Sequence, residues 1–171
     1  KRGPLPVATA VTYVLQVCEA LAEAHALGIV HRDLKPANLF LSRRPDGSDV
    51  VKVIDFGVSK MASAEPEEGS EGALTSQNAA IGTPNFMAPE QMRSARGVDG
   101  RADIWSLGAV LYGLLTGSSP FAGDTMIEVY DHILRGAPVL RGARAEVSAE
   151  LEAVVSRCLR VDPAERYQNV G

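Results

Sequence analysis

The stretch His31-Arg32-Asp33-Leu34-Lys35-Pro36-Ala37-Asn38, followed seventeen residues after Asn38 by Asp55-Phe56-Gly57, decides the reading of this chain. It holds an aspartate that can serve as a base, a lysine two residues on, and two oxygen donors, Asn38 and Asp55, of the kind hard divalent cations prefer. Phosphoryl transfer draws on such a set, because it consists mostly of positioning and neutralising charge around the moving phosphate. Asp-Phe-Gly alone would say little, since Asp and Gly are common turn residues. The eight-residue run at that spacing carries the weight.

The flanking patterns place these residues. Val7, Val11, Val14, Leu15, Cys18, Leu21 and Ala22 follow helical spacing, and Gly28 supplies a stop just before His31. Two short apolar runs, 38–42 and 50–54, flank a polar, Gly-containing stretch and predict a hairpin. That hairpin sets Asn38 just before one strand and Asp55 just after the other, so both can face one metal site. Residues 62–80 have hardly a large apolar side chain and predict a mobile loop. Helical patterns resume after Gly100 up to Gly117, and again from about Asp124 to Gly136 with Met126, Tyr130 and Ile133 on one face. A third carries Leu151, Val154, Val155, Cys158 and Leu159, with Ser148 as N-cap and Pro163 beyond its end. The class is α+β, mostly helical with one small hairpin.

At 171 residues and 46% hydrophobic, the chain can bury a single core. The net charge of −4 is matched by Glu65, Glu67, Glu68 and Glu71, so the acidity is local and gives no footprint for nucleic acid. No apolar run is expected to span a bilayer, and the start lacks a signal-peptide pattern. Cys18 and Cys158 fall on apolar helix faces and read as reduced core thiols, which fits a cytoplasmic setting. His25 and His132 read as surface or packing residues on helices.

With these motifs in hand, the chain resembles the eukaryotic-like (Hanks-type) serine/threonine protein kinases, of the bacterial kind. Further matches follow in order: Gly82-Thr83-Pro84-Asn85-Phe86-Met87-Ala88-Pro89-Glu90 is similar to the end of an activation segment. Asp103-Ile104-Trp105-Ser106-Leu107-Gly108 is similar to the start of the central helix of the large lobe, and Asp162-Pro163-Ala164-Glu165-Arg166-Tyr167 to its closing arginine motif. The resemblance implies a protein-kinase-like fold over residues 1–171, a C-terminal lobe with catalytic loop 31–38 and activation segment 55–90. A glycine-rich loop and strand lysine, which belong to the N-terminal lobe, are absent from the chain, so the isolated fragment is expected to be inactive and to expose an apolar cleft.

Carried over residue by residue, the resemblance makes Asp33 the base, Lys35 the cation on the transferred phosphate and Thr83 their hydrogen-bonding neighbour. Asn38 and Asp55 become the Mg²⁺ ligands, expected to bind metal only together with ATP because an amide oxygen and one carboxylate are too few. His31 is read as packing beside Phe56 rather than as an acid or base. Arg32 is expected to clamp a phosphate on the activation segment, with Thr75 and Ser76 as the candidate sites. Glu90 and Arg166 are expected to form an ion pair, and Asp103 to accept hydrogen bonds from the backbone near His31 and Arg32. Phe86 departs from the tyrosine common at its place, removing one hydroxyl. The implied activity is transfer of the γ-phosphate of ATP to protein Ser/Thr hydroxyls; the alternative is a non-catalytic, pseudokinase-like interaction module.

Overall fold

The computed structural model describes residues 3–56, 84–94 and 97–171. Helix α1, Val7–Ala26, buries Ala10, Val14, Val17, Leu21 and Ala24, an alternating three- and four-residue spacing that makes one apolar stripe. It stops where Gly28 turns left-handed at φ 74°, its N–H donating to the His25 carbonyl at 2.9 Å. By length and composition alone α1 could cross a membrane, contrary to the expectation that no run would. In this fold its apolar stripe packs against the core, between a hairpin and the central helix.

That hairpin comprises β1, Leu39–Arg43, and β2, Asp49–Val53, antiparallel with Leu39 opposite Val53 and Arg43 opposite Asp49. Its turn is closed by Gly47 at φ 84° and by the Asp46 carboxylate, which accepts from both the N–H and the hydroxyl of Ser48. Helix α1 holds β2 from the side. Tyr13 donates its hydroxyl to Asp49 at 2.7 Å, and the Gln16 carbonyl oxygen accepts the Val51 N–H at 2.8 Å. The Asp49 carboxylate raises the Tyr13 pKa by holding the phenolic proton.

Short helix α2, Pro89–Arg93, leads to α3, Arg101–Thr116, whose residues 102–112 are all buried. A helix buried on every side is the centre of a fold. Trp105 on α3 stacks on Phe121 with ring centroids 5.1 Å apart. Gly117 ends α3 in the left-handed region at φ 84°. Helices α4, Met126–Arg135, α5, Leu140–Ala143, and α6, Ala149–Cys158, complete the helical layer. The Ser148 hydroxyl accepts the Leu151 N–H at 3.2 Å and caps α6. On α4 the inward pair is Val129 and Ile133, with Met126 and Tyr130 only half-buried. On α6 Val154 is 40% exposed, not inward as expected, because its neighbour Val155 already takes the buried position.

Both cysteines are free thiols; burial pushes Cys158 up to about 11, which keeps it protonated and unreactive at neutral pH. Gly108 lets α3 and α6 meet, since a Cβ there would lie 2.6 Å from the Cys158 Cβ. Gly108→Ala should therefore cost about 1–3 kcal/mol by overpacking. Urea unfolding checks this, and an unchanged midpoint would show that the helices can part at no cost. Leu27, Ile29, Phe40, Leu41 and Ile54, all near the hairpin and the loop before it, are exposed. The expected loop at 62–80 lies outside the described residues.

Candidate active site

The loop between α1 and the hairpin is fixed from below by one carboxylate. Asp103, fully buried on α3, accepts the His31 N–H on Oδ2 and the Arg32 N–H on Oδ1, each at 2.8 Å. Arg32 adopts φ 64°, a left-handed conformation that costs a non-glycine residue about 1 kcal/mol or more. Its carbonyl is held as well, accepting from Gln91 Nε2 at 2.8 Å. The strained residue is thus clamped at both ends of its own backbone.

His31 is fully buried, and its bonds define its proton. Nε2 faces the Ile54 carbonyl at 3.1 Å, and Nδ1 accepts the Asp33 N–H at 3.2 Å. A carbonyl can only accept, so the ring is the neutral Nε2–H tautomer. Its face lies against Phe56, with centroids 4.7 Å apart. His31 therefore links the loop carrying Asp33 to the segment carrying Asp55.

Above this base the polar side chains converge. Asp33 Oδ2 accepts Lys35 Nζ at 2.9 Å and Asn38 Nδ2 at 3.4 Å. Asn38 Nδ2 also donates to the Asp33 carbonyl at 2.8 Å, which turns its Oδ1 away from Asp33. Asn38 ends a single 3₁₀ turn, Pro36–Asn38, and its carbonyl accepts the Ile54 N–H at 3.0 Å, one pair beyond the ladder. Asp55 follows at φ 57° with an exposed side chain. The hairpin thus brings Asn38 and the Ile54–Asp55 segment side by side, although seventeen residues separate them.

Asn38 Oδ1 and the Asp55 carboxylate are hard oxygen donors suited to Mg²⁺. Among the described residues no three His, Cys, Asp or Glu side chains cluster as a metal cage. A donor set this small fits a cation that shares its shell with phosphate oxygens and water.

The far end of the segment 84–94 is tied down by Glu90, whose carboxylate meets Arg166 in a two-pronged pair at 2.7 and 2.8 Å. Phe86 is held through its carbonyl, which accepts the Ser106 hydroxyl at 2.7 Å. Arg32 Nη2 reaches the Val98 carbonyl at 3.3 Å, while buried Nε has no hydrogen-bond partner among the described residues. Thr83, Thr75 and Ser76 lie outside the described residues.

Two participants escaped the sequence reading. His25, read there as surface or packing, places Nε2 2.8 Å from Asp103 Oδ2. Gln91 accepts the Ala88 N–H on Oε1 while its amide nitrogen holds Arg32. A glutamine three residues past a helix start is half of a capping box, and that was the available signal.

Comparison with known proteins matches residues 1–169 to the protein kinase domain family. This chain belongs to the protein kinase family. It is 45% identical to the serine/threonine-protein kinase Pkn1 of Myxococcus xanthus over 169 residues, covering 98% of the chain and 23% of that protein. It is 41% identical to PknB of Mycobacterium tuberculosis over 171 residues, 99% of the chain and 26% of that protein. The crystal structure of Rad53 1-466 in complex with AMP-PNP superposes with a TM-score of 0.70 at 28% identity, over 98% of this chain and 38% of that one. The kinase chain therefore has the protein-kinase-like fold and spans about a quarter of the length of these curated relatives. Members of this family use ATP, typically with Mg²⁺.

Proposed function

We propose that the chain is the C-terminal lobe of a serine/threonine protein kinase, with catalytic loop 31–38 and activation segment 55–90, acting in the cytoplasm. The observation that carries this reading is the Asp33 carboxylate gripping Lys35 and Asn38 on a loop clamped by Asp103. In the proposed reaction a substrate hydroxyl donates its proton to Asp33 as its oxygen bonds the γ-phosphorus and the bond to ADP breaks. Asp33 needs only to orient the hydroxyl and take the proton late, a task for an ordinary carboxylate. Lys35 offsets charge on the phosphate in flight. Mg²⁺ bound with ATP at Asn38 and Asp55 would neutralise the phosphates and fix their orientation. Thr83 would complete the hydroxyl site. Arg32 would receive a phosphate from Thr75 or Ser76; its buried Nε has no hydrogen-bond partner among the described residues, and a donor of that kind suits the role.

The test is intact-mass measurement on the full-length protein incubated with Mg-ATP, alone and with a Ser/Thr-rich protein acceptor. Phosphate added to Ser or Thr is the expected result. No phosphate on protein or acceptor, together with no ATP binding, would overturn the reading.

A further inference from the structure

Asn85 has no part in the chemistry proposed above, yet its side chain fastens the segment before α2 to the loop before α4. Residues 84–87 form a turn, closed by the Met87 N–H on the Pro84 carbonyl at 2.9 Å. Hydroxyls hold both carbonyls at its tip: Ser119 donates to that of Asn85 at 3.0 Å, and Ser106 to that of Phe86 at 2.7 Å. The Asn85 side chain adds a third tie, with Oδ1 accepting the Gly123 N–H at 3.3 Å. A backbone N–H can only donate, so the amide must turn its oxygen toward Gly123.

The loop that Asn85 grips is itself fixed. The Ser119 hydroxyl also accepts the Phe121 N–H at 3.3 Å, and buried Phe121 stacks on Trp105. His132 Nδ1 meets the Ala122 carbonyl at 2.9 Å, and the Glu128 carboxylate accepts the Asp124 and Thr125 N–H groups at 2.9 and 3.3 Å. A Cβ at Gly123 would lie 3.0 Å from the Glu128 Cβ, so the loop rests against α4 about as closely as glycine permits. On its other side the turn runs into Ala88, whose N–H goes to Gln91 Oε1, while Gln91 Nε2 holds the Arg32 carbonyl. The turn therefore spans from a rigid platform at the start of α4 to the loop that carries Asp33.

We infer that Asn85 is a positioning residue for the protein acceptor, fixing the turn 84–87 as the surface on which the chain beside the acceptor hydroxyl lies. A hydroxyl that reaches Asp33 brings its neighbouring residues over whatever stands next to that loop, and here it is this turn. The two hydroxyl ties grip backbone carbonyls, so any residue at 85 would keep them; the third depends on the side chain. Without it the turn can pivot about the peptide between residues 85 and 86, and the acceptor must order it on binding. ATP, proposed to lie with Mg²⁺ at Asn38 and Asp55, rests on other elements, so the effect falls on the acceptor.

This inference rests on the kinase reading for its effect on transfer but not for its structural effect, and the experiment separates the two. Asn85→Leu and Asn85→Asp are made in the full-length protein; Leu keeps the size without the acceptor oxygen, and Asp keeps an oxygen for the Gly123 N–H. Dephosphorylated casein is the probe acceptor. A wild type that phosphorylates only itself is assayed instead on its own Asp33→Asn variant. Expected for Asn85→Leu is an acceptor KM higher by roughly 5- to 20-fold, with kcat and the KM for ATP within about twofold. Amide exchange of Gly123 and Met87 should rise relative to the amides of α6. Asn85→Asp should keep both readouts near wild type. An acceptor KM in Asn85→Leu within about twofold of wild type would overturn the inference. So would an Asn85→Asp protein of wild-type thermal stability that behaves like Asn85→Leu. If the wild-type protein phosphorylates neither casein nor itself, the kinase reading falls, and the exchange data still decide whether Asn85 holds the turn.

Discussion

Arg166→Ala lowers the unfolding free energy by about 3–5 kcal/mol, the usual cost of breaking a buried charge pair from one side. The size follows from an accounting of the guanidinium. Nε donates to the Arg160 carbonyl; Nη1 donates to Glu90 and the Arg101 carbonyl; Nη2 donates to Glu90 and the Val161 carbonyl. All five N–H groups are used on a side chain with no exposure, and the guanidinium carbon lies 5.0 Å from the Trp105 ring centroid. Removing it orphans a carboxylate and three carbonyls and empties the space beside Trp105. Arg166→Lys should recover little, because an ammonium cannot present the planar fork that engages both Glu90 oxygens. Glu90 is one-quarter exposed, so Glu90→Gln should cost less than Arg166→Ala. Urea or thermal unfolding of the three variants gives the order, and an unchanged midpoint for Arg166→Ala would mean that this network contributes no stability.

That pair also shows what a sequence can disclose. Glu90 and Arg166 stand 76 residues apart, and no local spacing connects them; only the resemblance to a family brought them together in the reading. Local signals served well where the physics is local. The extent of α1, the stops at Gly28 and Gly117, the hairpin between Asn38 and Asp55, and the Ser148 cap each follow from spacing or from one residue's conformational preference. The α1 stripe, however, was placed on the wrong side. Of the seven residues expected on it only Val14 and Leu21 are buried and Leu15 is 58% exposed, while small Ala10 and Ala24 together with Val17 face the core. Helices α2 and α5 span five and four residues, too short to show a helical period, and the reading passed over both. His25 was misjudged for the reason that hid Glu90–Arg166: its partner lies 78 residues away, and a histidine on a helix carries no mark of it. Gln16, which holds the edge of β2, was silent in the same way. The polar side chains that tie elements together depend on topology, and topology is what periodicity leaves out. At the site itself, the residues on the loop and hairpin were legible, while those that hold them in place from α1 and α2 were not.

Asp33→Asn abolishes most phosphoryl transfer in the full-length protein, by roughly 10²- to 10⁴-fold, and leaves the fold in place. The two halves of this prediction have separate causes. Asn matches Asp in shape, and its carbonyl oxygen can still accept from Lys35 and Asn38, which lie at 2.9 and 3.4 Å from the Asp33 carboxylate. The ion pair with Lys35 is about one-third exposed on both sides, so its loss costs stability only about 0–1 kcal/mol. An amide, however, cannot take the hydroxyl proton, and half of its polar edge now presents a donor where the substrate oxygen should find an acceptor. In the proposed mechanism other groups would hold ATP and Mg²⁺, so the loss should fall in kcat, with KM for ATP little changed. Single-turnover phosphate incorporation and thermal unfolding, run side by side on wild type and variant, read both halves. Full transfer by Asp33→Asn would remove Asp33 from the role of base and leave its carboxylate as a strut for Lys35 and Asn38. A large drop in unfolding temperature would instead place it among the residues that build the loop, beside Asp103.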